Sequence, residues 1–102
     1  MAILYVLTID DPTNVGPFPP DVLASDWYAN FISSASFQAI GGNTGYVYSW
    51  IFDNQTELDS WTAEYKAPSD VQSSLDNWKT FNVSYENKFY TLPATTGTGI
   101  IN

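Results

Sequence analysis

From Tyr46 to Phe52, aromatic rings occupy every even position (Tyr46, Tyr48, Trp50, Phe52), while Val47, Ser49 and Ile51 take the odd ones. A period of two predicts a β-strand and puts the four rings on one face as a continuous aromatic wall. The wall admits three readings: a core, the lining of a ligand pocket, or a surface that meets a partner. The segment Ala2 to Ile9 is rich in β-branched and aromatic residues with both faces apolar, which predicts a central strand. Asp10, Asp11 and Pro12 end it. The run from Asp11 to Pro20, with prolines at 12, 17, 19 and 20, predicts a stiff surface loop.

A helix is expected next. Pro19 and Pro20 suit a first turn, and Asp21 complements the N-terminal end of the helix dipole. Leu23, Trp27 and Phe31, flanked by Ala24, Tyr28 and Ile32, recur at helical spacing through about Ser34. Phe37 to Ile40 predicts a short strand, and Gly41 to Gly45 a turn, so a hairpin should lead into the aromatic strand. Asn54 to Glu57 fits a capping box, followed by a stripe of Leu58, Trp61 and Tyr65. After Pro68, Ser69 to Gln72 repeats the capping pattern, with Val71, Leu75 and Trp78 as a second stripe. The spacing predicts a helix broken near Pro68. Val83, Tyr85 and Phe89 mark a last strand, with Ser84, Glu86 and Lys88 on its polar face. Residues 1–92 form one domain on this reading and 93–102 a C-terminal tail, either frayed or an arm whose Ile100 and Ile101 dock on a partner subunit.

Composition narrows the function. With 102 residues the chain fits one core, and its 4 Trp, 7 Tyr and 6 Phe argue against disorder. A fold of this size buries less than about 70% of its unfolded surface, so dimerisation is a natural supplement. Eleven acidic residues face three basic ones, for a net charge of −8. Such a chain repels polyanions, so neither nucleic acid nor an anionic membrane is an expected partner. Nothing approaches transmembrane length, and the opening residues read as a strand rather than a signal peptide, so a cytoplasmic location is expected.

The order strand, helix, strand, strand, helix, strand resembles the ferredoxin-like α+β sandwich. That resemblance implies an antiparallel sheet of order 4-1-3-2, with both helices on one face and the two most apolar strands, Ala2 to Ile9 and Tyr46 to Phe52, in the centre. Both central strands carry apolar residues on their second face as well, and something must cover it. The broken second helix and the final strand from Val83 to Leu92 resemble the dimeric α+β barrel superfamily, in which sheets of two subunits pair face to face. Small antibiotic-biosynthesis monooxygenase-like domains are similar in length and element order. The resemblance implies a cavity between sheet and helices for an aromatic or polyketide substrate, with no metal or flavin. Tyr48 and Trp50 would then be the reactive or ligand-binding residues, Trp27, Trp61 and Phe31 the walls, and the loop carrying Val15 and Phe18 a closure over the mouth.

Other chemistries are curtailed by the residues themselves. The chain has no His and no Cys, which removes the usual zinc and haem ligands, thiolate chemistry and a Ser-His-Asp arrangement. No cofactor is expected. Asp10 and Asp11, with Thr13 and Asn14, offer oxygen ligands for a hard cation, but Asp before Pro is turn chemistry and the spacing does not match a calcium loop. Antiparallel central strands would put Asp10 and Asp53 about 20 Å or more apart, too far for an acid/base pair. The sequence thus predicts a homodimeric domain, non-catalytic or binding a small apolar ligand. A cofactor-independent monooxygenase-like enzyme and a structural or assembly module are the alternatives.

Overall fold

The computed structural model of the chain describes residues 2–35, 37–40, 45–91 and 97–102. It is an α+β domain. Strand β1 (Ile3–Asp10) is followed by two short helices, α1 (Pro20–Leu23) and α2 (Asp26–Ser34), then strands β2 (Phe37–Ile40) and β3 (Gly45–Phe52). Helices α3 (Gln55–Tyr65) and α4 (Ser69–Trp78) come next, and a 3-10 turn (Lys79–Phe81) leads into β4 (Ser84–Tyr90). All strand pairs are antiparallel, in the order β2-β3-β1-β4. The two most apolar strands are therefore the inner pair. The turn expected at residues 41–44 lies outside the described residues.

Register explains how the sheet sorts its side chains. Ile3, Tyr5, Leu7 and Ile9 stand opposite Phe52, Trp50, Tyr48 and Tyr46. All eight point to one side, because paired residues of neighbouring strands share a face. The helices cover that side, as the ring contacts of Phe31 and Trp61 with Trp50 require. The aromatic wall is thus the helix-facing side of the sheet. No helix among the described residues is long and apolar enough to cross a membrane.

Local chemistry corrects the expected single helix at 19–34. Its break lies at Ser25, whose hydroxyl donates to the Val22 carbonyl (2.6 Å) and accepts from the Tyr28 backbone N–H (3.2 Å). Ser25 closes α1 and caps α2 at once. The interruption changes the helical phase. Val22 is buried, and Leu23, expected on the apolar stripe, is 46% exposed. The break at Pro68 is as the stripe pattern predicts, and the Asn54 side chain accepts from Glu57 N–H at the start of α3. Ser69, however, does not cap α4; it is the first helical residue, after Pro68 in extended conformation.

The C-terminal segment overturns the frayed reading. Ile100 and Ile101 are fully buried in the same core as the sheet and helices. Burial of each such side chain is worth about 1.5 to 3 kcal/mol. Gly97 lies against the Phe89 ring and Gly99 against the Asn87 side chain, so the segment runs back over the inner face of β4. The two glycines permit this approach. A Cβ on Gly99 would overlap the Asn87 amide, and one on Gly97 would sit 3.1 Å from the Phe89 ring.

Candidate functional site

The five residues expected to line a ligand pocket do come together. Phe31 meets Tyr48 at a centroid distance of 5.2 Å and Trp50 at 5.9 Å, while Trp27 stacks on Phe31 at 5.1 Å. Trp61 meets Trp50 at 5.0 Å and Phe52 at 5.2 Å. Tyr5, which was not on the expected list, stacks between Trp50 and Phe89 at 5.0 and 4.8 Å. These are the separations of rings in direct contact. Polar tips are satisfied internally: Trp27 Nε1 donates to the Tyr65 carbonyl (2.7 Å) and Trp50 Nε1 to Ser34 Oγ (3.1 Å). Among the described residues no buried side-chain nitrogen or oxygen lacks a partner. The rings occupy the space in which a ligand was expected.

Among the described residues, two open clefts lie outside this cluster of rings. One, of about 300 Å³, is lined by Asp59, Thr62, Ala63 and Lys66 of the α3 region and by Thr98. The other, of about 390 Å³, lies where Ser25 and Asp26 approach the Pro68 bend, and Trp27 is the sole member of the expected set that reaches it. The second also holds the carboxylates of Asp26 and Asp70, but its one hydroxyl, Ser25 Oγ, is engaged with Val22 and Tyr28 at the helix break.

The proline-rich loop is tied down rather than poised over a mouth. Asp11 is fully buried, and its two carboxylate oxygens accept from the backbone N–H groups of Val15 (3.0 Å) and Gly16 (2.8 Å). Asn14 turns the chain with φ of 56° and Gly16 with φ of 110°. Trp78 Nε1 donates to the Gly16 carbonyl and the Tyr85 hydroxyl to the Pro17 carbonyl. Phe18, expected at a pocket mouth, is a core residue touching Trp27, Tyr28, Phe31 and Tyr85, whereas Val15 faces solvent. Asp11 therefore serves the turn, as its place before Pro12 suggests. Burial and, after it, the nearby Asp11 charge push the Tyr85 phenol well above its ordinary range.

A hydroxyl at the centre of the core organises a second network. Tyr5 donates from its hydroxyl to Asn87 Oδ1 and accepts from Ile100 N–H (3.3 Å). Asn87 Nδ2 donates to the Ile101 carbonyl (2.7 Å). Burial drives the Tyr5 phenol far above its usual range, with the Ile100 N–H pulling weakly the other way. Sequence reasoning missed this network. Its one signal is Asn87 standing on the face of β4 that carries Tyr85 and Phe89, an amide among rings.

The other side of the sheet faces away from the helices that pack on the aromatic wall. It presents Leu4, Val6 and Thr8 of β1, Val47, Ser49 and Ile51 of β3, and Glu86, Lys88 and Tyr90 of β4. Leu4 is flanked by Ile51 and Tyr90, which are 64% and 50% exposed. An apolar row thus crosses three strands at one end, and Glu86 and Lys88 lie toward the other, 3.7 Å apart. No family model matches the chain, and comparison with curated proteins and with solved structures gives no match.

Proposed function

We propose that the chain is a ferredoxin-like domain that acts as a homodimer without catalytic activity, pairing through the sheet face opposite its helices. The observation that carries this reading is the row Tyr90, Leu4, Ile51 on the sheet face opposite the helices, with Tyr90 and Ile51 exposed and Leu4 half-buried between them. A second copy suits it for two reasons. A two-fold contact sets the same surface against itself, so an apolar row can meet its own image. The same symmetry lets Lys88 of each copy answer an acidic side chain such as Glu86 of the other. The monooxygenase-like alternative and an aromatic ligand under the helices would both require rings now in contact to separate, and so rank below the non-catalytic homodimer.

Area sets the expected strength. β1 has eight residues and the sheet four strands. At about 3.3 Å per residue and about 4.8 Å between strands, the face projects to roughly 500 Å² at most. A standard interface buries about 800 Å² per partner, so the dimer is a weak one that dissociates on dilution. Light scattering across a dilution series tests the proposal. The mass should fall from dimer toward monomer as concentration drops, and added salt should slow that fall by screening two chains of net charge −8. A monomer mass at every concentration would refute it.

A further inference from the structure

The last residues of the chain are held in the manner of a bound peptide. Ile100 N–H donates to the Tyr5 hydroxyl, and the Ile100 carbonyl accepts from Ala67 N–H (2.8 Å). The Ile101 carbonyl accepts from Asn87 Nδ2 (2.7 Å) and Asn102 N–H donates to Gln72 Oε1 (3.1 Å). The Asn102 carbonyl accepts from Lys79 Nζ (2.7 Å). Each of these main-chain groups is met by a group from β1, β4, the bend between α3 and α4, or α4 with its following turn. Among the described residues none of them pairs with a neighbour in the segment, and none belongs to a strand ladder. Main-chain hydrogen bonds combined with buried side-chain pockets are how proteins read an extended peptide. Here Ile100 and Ile101 fill the pockets, and Gly97 and Gly99 let the backbone lie flat on Phe89 and Asn87.

We propose that the groove between β4 and the α3–α4 bend is a peptide-recognition site, filled in cis by residues 97–102 and able to take the same segment from a second copy in trans. The occupant is specified by the groove: small residues where Phe89 and Asn87 stand close, then two aliphatic side chains, then a carbonyl within reach of Lys79. Exchange of this segment between copies makes every contact of the cis form, because the groove and the segment are identical in both chains. This site is separate from the sheet face and does not depend on it.

The test empties the groove in the full-length chain with I100D/I101D and adds the acetylated peptide Gly-Thr-Gly-Ile-Ile-Asn. The melting temperature of the variant should rise with peptide in a saturable way, and a scrambled peptide of the same composition should leave it unchanged. The unchanged chain, whose groove is filled, should respond at least ten times more weakly. If I100D/I101D does not fold, the milder I101A takes its place with the same readout. A folded variant that ignores the peptide, or equal responses to the two peptides, would overturn the proposal. A second arm refolds the unchanged chain at high concentration with and without excess peptide. Refolding is repeated in I51K, whose sheet face is blocked: exchange dimers trapped by refolding should still form there and be suppressed by the peptide, whereas I51K dimers that ignore the peptide would count against exchange.

Discussion

Trp50 and Ile51 are neighbours in one strand, yet the first is 2% exposed and the second 64%. The same sheet thus has two faces made of apolar residues with different fates. On the inner face, Tyr5, Phe31, Trp50 and Trp61 touch one another, and the Tyr5 hydroxyl and Trp50 Nε1 find partners within the chain. On the outer face, Leu4 lines up with Ile51 and Tyr90, and the latter two are left exposed. Hydrophobicity alone does not distinguish core from contact surface. What distinguishes them is whether the chain supplies the second layer.

Substitutions on the two faces should therefore behave differently. The largest effect is expected from Trp50→Ala, which leaves a void beside the rings of Tyr5, Phe31 and Trp61 and should lower stability by about 3 to 5 kcal/mol in denaturant unfolding. A loss under 1 kcal/mol would mean that the inner face is not a filled core. Tyr5→Phe comes next. It leaves Asn87 Oδ1 and the Ile100 N–H without their partner and should cost about 1 to 3 kcal/mol, although its volume hardly changes.

Alkaline pH should act on the inner face alone. The Tyr5 and Tyr85 phenols are pushed above the ordinary value of 10.0, chiefly by burial. The unfolded chain releases these protons near pH 10 while the folded chain retains them. Their contribution to stability is therefore complete below about pH 10 and is lost as pH rises through the higher folded values. The melting temperature should fall above about pH 10, less steeply in Tyr5→Phe than in the parent. An unchanged slope in the variant would show that this phenol does not control the transition.

How much of this is legible in the sequence depends on the range of the forces involved. The alternation from Tyr46 to Phe52 and the stripes broken at Pro68 are short-range patterns, and both correspond to elements in the fold. The two apolar faces of Ala2 to Ile9 are equally plain, but a period of two cannot say which face meets the helices. That choice rests on long-range pairings such as Tyr5 with Trp50. Ser25 was hidden for another reason. A serine inside an apolar stripe looks tolerable until its hydroxyl is seen to serve both Val22 and Tyr28. Burial of Ile100 and Ile101 was illegible because their partners Tyr5, Ala67 and Asn87 come from three separate parts of the chain. Of the candidate site, the five ring residues were identified and are close together, but rings that would line a pocket and rings that fill one look alike in sequence.

On the outer face the stability of the single chain should barely respond. Ile51→Lys places a long, flexible side chain where the residue is already 64% exposed and should shift monomer stability by no more than about 0.5 kcal/mol. Its effect belongs to association, and sedimentation equilibrium on the parent and on Ile51→Lys reads that directly. Pairing through the sheet face predicts a reversible dimer for the parent and, in samples never unfolded, a folded monomer for the variant at the same concentration. A parent that stays monomeric, or a variant that dimerises as well as the parent, would contradict it.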